Sequence, residues 1–256
     1  MTILLVLVVW LRPAPKFASY DLISPSARYA SDGTGIDQLD SNVNPSSKGA
    51  PQYFLESYSH RDRRFAGPTR LSDAERQQGL ARLVRAYLAK MDQLGIATWL
   101  AHGTLLSWYW NQHIFPWDVD CDMHLHYSGL TSLAQCCNGS IHIVDENKYL
   151  FDVNAYIRER NGTRDRRNVI DARWIDLETG LYVDITAVSI AEISANNETS
   201  VNVVEAKDGH QYLESDVFPL EHTTFEDTEV LVPKNATKVL IREYGRKGLT
   251  LRFFRG

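Results

Sequence analysis

Three aspartates at alternate positions, Asp118, Asp120 and Asp122, have the spacing that most clearly indicates chemistry. The mostly apolar run from 119 to 125 predicts a β-strand, and alternate side chains of a strand share one face, so these carboxylates and His124 are expected to point the same way. Neighbouring carboxylates repel one another, and burial of an unpaired charge is costly. A bound cation offsets both costs, and oxygen ligands favour Mg2+, Mn2+ or Ca2+. The alternative is a solvent-facing acidic edge that discourages aggregation.

Asp184 is a further carboxylate that interrupts an apolar, strand-like segment, between Val183 and Ile185. One interpretation makes it the partner of an arginine such as Arg173. The other places it beside Asp120 and Asp122 on an adjacent strand, about 4.8 Å away. In that second arrangement the three carboxylates share one or two divalent ions, which can activate an attacking hydroxyl and stabilise a departing phosphate oxygen.

The elements that must position these carboxylates begin with a helix that follows Ser72. Ser72 and Glu75 form a capping box, in which each side chain satisfies a backbone amide of the first turn. Apolar residues then recur at three- and four-residue spacing as far as Leu94, and Gly95 is suited to end the helix. This pattern predicts an amphipathic helix packed on the core.

The rest of the chain mixes short strands and helices, which predicts an α+β fold rather than a doubly wound parallel sheet. An antiparallel hairpin is expected where Gly180 supplies the turn. The predicted segments after the first helix are a strand at 96–101, a helix at 105–110, a strand at 119–125, hairpin strands at 172–177 and 181–188, an extended segment at 230–233 and a helix at 235–244.

Two motifs in order resemble the signature of the LicD family: HGTLLSWY at 102–109 and IFPWDVDCDM at 114–123. Shorter matches follow in the same order: TGLYVDI at 179–185, FPL at 218–220, FE at 225–226, VP at 232–233 and YG at 244–245. The family includes bacterial phosphocholine transferases, fukutin-related ribitol-phosphate transferases and fungal proteins tied to mannosylphosphate addition. The resemblance covers roughly residues 71–250.

The resemblance implies a nucleotidyltransferase-like fold, with a small mixed β-sheet flanked by helices and an extended N-terminal segment. It also implies that Asp120, Asp122 and Asp184 are the catalytic carboxylates and the ligands of Mg2+ or Mn2+, with Asp184 as the base for the acceptor hydroxyl. The turn that opens a helix would face the donor phosphates, because backbone amides at a helix N-terminus favour anions. The donor-binding residues implied are His102, Gly103, Thr104 and Asp118.

The chemistry implied is transfer of a phospho-sugar, or a similar phospho-alcohol, from a nucleotide-activated donor to a hydroxyl of a glycan or glycoprotein. The fungal branch suggests GDP-mannose as donor and GMP as product. Ser107 stands where many members have glycine, and Cys121 where an aliphatic residue is common. The alternatives are a non-catalytic member that binds a partner transferase or glycan, and a calcium-stabilised secreted binding domain.

The composition excludes several classes of protein. The chain has 256 residues, 44 % of them hydrophobic, and a formal net charge of −5. That is enough for one well-filled core, and the mild acidity argues against nucleic-acid binding. The sequence contains no P-loop, no dinucleotide fingerprint and no Gly-x-Ser-x-Gly esterase motif.

The N-terminus and four glycosylation sequons indicate the secretory pathway. The apolar run Ile3–Leu11 is shorter than the roughly 20 residues of a spanning helix. It predicts a signal peptide or short membrane anchor over 1–19, with a buried strand as the alternative. A stem or wrapping arm over 20–70 and a catalytic domain over 71–256 follow. The sequon asparagines, which favour the Golgi lumen or secretion, are Asn138, Asn161, Asn197 and Asn235.

The chain has three cysteines, Cys121, Cys136 and Cys137, and no CxxC pair of the kind that binds zinc. An oxidising compartment would allow Cys121 to pair with Cys136 or Cys137, which leaves one free thiol, and the sequence does not identify the pair. Adjacent cysteines rarely bond to each other. Cys121 is expected on the strand face opposite the carboxylates, as a packing residue or a disulfide partner rather than a ligand.

Overall fold

The computed structural model describes residues 51–55, 59–160, 167–196 and 199–250. The apolar run at the N-terminus, the segment 20–50 and the sequons at Asn161 and Asn197 lie outside the described residues. Within the described ranges, no helix combines the length and the apolar character that crossing a membrane requires.

The described part of the chain forms a mixed sheet of ten strands flanked by five helices, which confirms the predicted α+β fold. The helices are α1 (Asp73–Leu94), α2 (His102–Asn111), α3 (Tyr127–Cys137), α4 (Glu214–Val217) and α5 (Ala236–Gly248). The strands are β1 (Thr98–Leu100), β2 (Cys121–His126), β3 (Ile141–Val144), β4 (Asn147–Val153), β5 (Ala172–Asp176), β6 (Tyr182–Asn196), β7 (Thr199–Ala206), β8 (Gln211–Leu213), β9 (Glu221–Phe225) and β10 (Thr228–Val232).

The sheet runs in the order β3-β4-β5-β6-β2-β1-β10-β9, with β7 and β8 added to the far part of β6. The pairs β2–β6 and β1–β10 are parallel, and the other pairs are antiparallel. Strands β2 and β6 therefore lie in the middle of the sheet. Any side chain at the start of β2 has a neighbour on β6.

Helix α1 forms as predicted and covers the core. The Ser72 hydroxyl accepts a hydrogen bond from the Glu75 amide at 3.3 Å, and the Glu75 carboxylate accepts one from the Ser72 amide at 2.8 Å. Gly95 ends the helix in the left-handed region, at φ 67°. Leu80 and Met91 are fully buried, so the apolar stripe of α1 packs on the sheet. Burial of this apolar surface stabilises the fold.

The predicted hairpin is present as β5 and β6, and its turn is held by a segment that precedes α1. Gly180 has φ 76°, and a Cβ at this position would lie 2.8 Å from the backbone nitrogen of Ala66. The Asp62 amide donates to the Gly180 carbonyl at 2.7 Å. The guanidinium of Arg61 donates to the carbonyls of Thr179, Gly67 and Thr69 at 2.9 to 3.1 Å. Residues 59–70 are therefore packed against the turn of the hairpin.

The expected disulfide between Cys121 and one of the later cysteines is wrong. Cys136 and Cys137, at the end of α3, are bonded to each other, and Cys121 remains a thiol. Cys121 is fully buried in β2, on the face that packs into the core. The prediction that Cys121 packs in the core is therefore confirmed, and the prediction that it forms a disulfide is not.

The two sequon asparagines within the described residues have different surroundings. Asn138 is exposed where α3 ends, and its side-chain oxygen accepts a hydrogen bond from the Val153 amide at 2.9 Å. Asn235 is half-buried, and its side-chain amide donates to Asp216 at 3.0 Å. The glycan-accepting nitrogen of Asn235 therefore lies against Asp216, whereas the Asn138 side chain faces solvent.

Candidate active site

Strands β2 and β6 place two of the predicted carboxylates side by side. Asp122 and Asp184 are register partners across this parallel pair. Helix α2 begins directly after β1, and the Thr104 hydroxyl on its first turn accepts a hydrogen bond from the Asp122 amide at 2.8 Å. The Asp122 carbonyl accepts one from the Ala101 amide at 3.1 Å. The start of α2 is thus fixed against the carboxylate edge of the sheet.

Asp118 and Asp120 lie in the segment that leads into β2, because the strand begins at Cys121 rather than at Val119 as predicted. A Cβ on Gly103 would lie 3.9 Å from Oδ2 of Asp118, so the first turn of α2 is next to this carboxylate. Burial, followed by the negative charge of Asp120, raises the pKa of Asp118 to about 6. Asp118 therefore lies beside the first turn of α2, in an irregular segment rather than on the predicted strand.

Asp120 contacts a residue that the sequence interpretation assigned to the stem. His60 Nε2 lies 2.9 Å from Oδ2 of Asp120. Burial raises the pKa of Asp120, but the hydrogen bond and the charge of His60 outweigh it and hold the pKa below its usual value. The sequence offered no signal for this contact, because 60 residues separate the two groups and no periodic pattern links them.

Asp184 is paired with Arg173, as one interpretation predicted, and of the other interpretation only its position beside Asp122 is observed. It lies opposite Asp122 on β6, and it also accepts a hydrogen bond from Arg173 Nε at 2.7 Å. The Arg173 guanidinium stacks 3.7 Å from the ring centre of Tyr182 and 4.7 Å from that of Phe54. These contacts hold the buried arginine, and with it the Asp184 carboxylate, in one orientation.

Asp122 carries the least compensated charge of the group. Burial, and next the charge of Asp120, raises its pKa to about 8, against a smaller opposing effect from the positive charge of His102. Oxygen ligands of this kind fit Mg2+ or Mn2+, and a cation would remove the cost of ionising Asp122. Such a cation would compete with His60 for Asp120 and with Arg173 for Asp184.

His102, predicted to bind the donor, is held by side chains from distant parts of the chain. Its Nδ1 lies 2.9 Å from Glu243 Oε2, and its Nε2 lies 3.5 Å from Asp208 Oδ2. Burial alone would lower the pKa of His102, but the hydrogen bond and charge of Glu243 raise it to about 9. The His102 ring also packs 4.9 Å from the ring of His124 and 4.8 Å from that of His210.

The described residues contain one set of three ligand atoms that lie within 4.8 Å of one another, and it consists of His102, Asp208 and His210 rather than the aspartates. Sequence reasoning missed Asp208, His210 and Glu243. Asp208 and His210 lie on either side of a glycine turn, and Glu243 precedes the Tyr244-Gly245 match. Neither pattern by itself indicates a ligand.

A cavity of about 300 Å3 opens beside the segment that carries Asp118 and Asp120. Within it, Arg76 donates to the Asp118 carbonyl at 3.0 Å. Three arginines and a histidine give this cavity a positive lining, which suits an anionic group. The lining residues are Ser59, His60, Arg61, Arg70, Leu71, Arg76, Val119 and Leu181.

Comparison with known proteins adds a family and two relatives. Residues 95–235 match the family model described as LicD/FKTN/FKRP, nucleotidyltransferase domain. The matched range includes the four aspartates and His102, and it excludes His60 and Glu243.

Both relatives are from Saccharomyces cerevisiae. The chain is 33 % identical over 196 residues to the protein named Mannosyltransferase regulator 14, an alignment that covers 69 % of this chain and 20 % of the relative. It is 35 % identical over 161 residues to Mannosyltransferase regulator 4, which covers 60 % of this chain and 13 % of that relative. The chain thus spans a fifth or less of the length of these two relatives.

Proposed function

We propose that this chain, which belongs to the LicD/FKTN/FKRP family of nucleotidyltransferase domains, transfers a phospho-sugar from a nucleotide-activated donor to a glycan hydroxyl with the help of a divalent metal. The observation that carries the proposal is the pairing of Asp122 and Asp184 on the two central parallel strands. Asp118 and Asp120 directly precede the first of these strands, and the start of α2 lies against them.

The metal-binding residues in this proposal are Asp120, Asp122 and Asp184, and the cation is Mg2+ or Mn2+. When bound, the cation supplies positive charge to the donor phosphates and to the departing phosphate oxygen. Gly103 and Thr104 offer backbone amides near the start of α2, a position that favours anions. The arginine-lined cavity beside Asp118 is a further anion-binding surface for the donor, for which GDP-mannose is the candidate.

The reaction forms one bond to phosphorus and breaks another. The oxygen of the acceptor hydroxyl attacks the phosphorus that carries the sugar, and the bond from that phosphorus to the nucleoside monophosphate breaks. Asp184 is the proposed acceptor of the hydroxyl proton, and Arg173 orients its carboxylate. The products are a phosphodiester between sugar and glycan and a nucleoside monophosphate, which is GMP if the donor is GDP-mannose.

An exposed aromatic side chain next to the carboxylates suits a sugar acceptor. Trp117 is 71 % exposed and stacks on Phe115, with ring centres 4.8 Å apart and planes 14° from parallel. An apolar ring held in this way can pack against the face of a pyranose. The proposed acceptor is therefore a glycan or glycoprotein. Because the sequence carries four glycosylation sequons, the proposed location is the secretory pathway, in the Golgi lumen.

A second candidate function is the regulation of a partner transferase without catalysis. Both relatives carry the name mannosyltransferase regulator. In addition, His60 contacts Asp120 and Arg173 contacts Asp184, so two of the three proposed ligands are already paired. A pocket stabilised in this way could bind a partner or glycan without turnover.

Nucleoside monophosphate release by the purified chain separates the two candidates. The chain is incubated with GDP-mannose, Mn2+ and a mannose-containing oligosaccharide, and GMP and the new phosphodiester are measured together. Asp120→Asn and Asp122→Asn should each lower transfer by about 10³-fold, since the loss of metal stabilisation costs several kcal/mol. Asp145→Asn, an exposed aspartate in the β3–β4 turn, is the matched control and should retain activity.

Full activity of either site variant, or of the wild type in excess chelator, would contradict the transferase proposal. A wild type that releases no GMP but raises the activity of an added mannosyltransferase would support the regulatory function instead.

A further inference from the structure

We propose that His102, Asp208 and His210 form a zinc-binding site separate from the aspartate site. One ligand atom from each residue lies within 4.8 Å of those of the other two. Asp208 Oδ2 is 2.8 Å from His210 Nδ1 and 3.5 Å from His102 Nε2. Ligands bound to one tetrahedral Zn2+ at 2.0–2.2 Å lie about 3.4 Å from each other, so the Asp208–His102 distance matches a zinc site, while the Asp208–His210 pair is a hydrogen bond that would open by about 0.6 Å on binding.

The donor set of this histidine cluster differs in kind from that of the aspartates. Two imidazole nitrogens and one carboxylate oxygen suit the borderline ion Zn2+, while carboxylate oxygens alone suit Mg2+ or Mn2+. Asp208 and His210 are exposed, which gives an ion access from solvent. Three protein ligands leave the fourth tetrahedral position for water or another ligand.

Outer contacts hold His102 in the orientation that a metal requires. Its Nδ1 lies 2.9 Å from Glu243 Oε2, so its Nδ1 proton is donated to Glu243, and a bound Zn2+ would displace the proton from Nε2, the nitrogen that faces Asp208. Glu243 is in turn fixed by a hydrogen bond from the Tyr212 hydroxyl. A carboxylate behind a metal-binding histidine is a common outer contact of zinc sites.

Asp208 is also oriented by its own turn. Its Oδ1 accepts a hydrogen bond from the His210 amide at 3.0 Å, which leaves Oδ2 on the side of the two histidine rings. Gly209 between them has φ 93°, a conformation that lets the turn bring Asp208 and His210 to the same side. The fold therefore brings the two ligands on this turn, Asp208 and His210, next to His102 at the start of α2.

Zinc at this position would join two elements of the structure directly and a third through an outer contact. His102 is the first residue of α2, Asp208 and His210 belong to the β7–β8 turn, and Glu243 is on α5. The ion would therefore hold the start of α2, whose next residues lie beside Asp118 and Asp122, against the β7–β8 turn. This is a positioning role, and it does not depend on whether the chain is a transferase.

Zinc titration of the full chain, after removal of metals with a chelator, tests the site. Calorimetry should show one tight Zn2+ per chain, with an affinity at least about 100-fold above that for Mn2+ at the same site. Substitution of Co2+ should give the visible absorption of a tetrahedral ion. Asp208→Asn and His210→Gln should each weaken Zn2+ binding by more than about 100-fold and remove the rise in thermal midpoint that Zn2+ causes.

Two further variants keep the test specific. Glu243→Gln should retain the site but weaken Zn2+ binding by about 10- to 100-fold, because it changes only an outer contact. His222→Gln, an exposed histidine on β9, is the matched control and should bind Zn2+ like the wild type. Circular dichroism checks that the variants fold.

Equal Zn2+ affinity in the wild type and in Asp208→Asn/His210→Gln would overturn the proposal. So would loss of Zn2+ binding in Asp122→Asn with unchanged binding in Asp208→Asn, since the ion would then sit on the aspartates. In either case His102, Asp208 and His210 would form a network of hydrogen bonds and ion pairs and would not bind zinc. None of these results depends on transfer activity.

Discussion

The aspartate site and the histidine cluster both meet the start of α2, yet they are built in opposite ways. Asp118, Asp120 and Asp122 fall within five consecutive residues, whereas His102 and Asp208 are more than 100 residues apart. The aspartates are close in space because they are close along the chain, whereas the histidine cluster is assembled by tertiary contacts. The difference shows why alternating residues in one segment are visible in a sequence and ligands from separate loops are not.

The two regions also balance their charges differently. In the histidine cluster the carboxylates of Asp208 and Glu243 face the ring of His102 directly. Among the aspartates, His60 and Arg173 pair with two members, while Asp122 has a pKa raised to about 8. An added cation would therefore stabilise the carboxylates of the aspartate region more than those of the histidine cluster. Substitutions in the aspartate region should accordingly have the larger effects on transfer activity.

The largest expected contrast is in transfer activity. Asp122→Asn should lower it by about 10³-fold, because a proposed metal ligand is lost. Asp208→Asn should lower it by less than about tenfold, because it acts only through the position of α2. Parallel measurement of GMP release by both variants tests this, and equal losses would show that the two regions work as one site.

The next contrast is in stability. Arg173→Met leaves the Asp184 carboxylate buried without that partner, and the loss of one partner of a buried pair costs about 3–5 kcal/mol. Lys238→Met removes a mostly exposed partner of Asp216, and such pairs contribute about 0–1 kcal/mol. Urea unfolding of the two variants provides the comparison. Similar small losses would mean that Arg173 contributes little to holding Asp184.

The smallest expected effect is on the pH dependence of stability in chelator. Because the folded-state pKa of Asp122 is raised to about 8 and its unfolded value is about 4, the folded state holds the extra proton. This stabilisation is complete below about pH 4 and is lost as the pH rises through about 8. Between pH 6 and 8 the thermal midpoint should fall by a few degrees, and His102, whose pKa is raised to about 9, adds to the fall.

Two controls accompany the pH measurement. Asp122→Asn should reduce the slope between pH 6 and 8 and leave the part that His102 contributes, since one of the two titrating groups is gone. Saturating Mn2+ should also reduce it in the wild type, because the ionised carboxylate then has a cation. A slope that is unchanged in Asp122→Asn would assign the effect to other groups.

The features predicted well from sequence are those with local causes. The capping box at Ser72 and the end of α1 at Gly95 follow from hydrogen bonding and backbone freedom within a few residues. The turn at Gly180 and the α5 break at Gly245, which has φ 68° and ψ 171°, have the same kind of origin. These features depend on residues that are near in sequence, so they can be predicted without knowledge of the tertiary structure.

The features that were missed have non-local causes. Strand β2 begins two residues later than predicted, because its ladder with β6 starts at Cys121 opposite Val183. The hairpins β3–β4 and β7–β8 were not predicted, since their strands are stabilised by neighbours in the sheet more than by their own patterns. The bond between Cys136 and Cys137 likewise ran against the general rarity of such pairs.

The clustering of Asp118, Asp120 and Asp122 follows from their spacing, because residues so close along the chain cannot lie far apart, and the motifs around them indicate the family. The contacts of these carboxylates come from the folded arrangement, which places His60 at Asp120 and Asp184 opposite Asp122. It alone also brought the ligands of the histidine cluster together. The physical reason is that spacing along a chain fixes only local neighbours, whereas contacts between distant residues depend on strand register and packing.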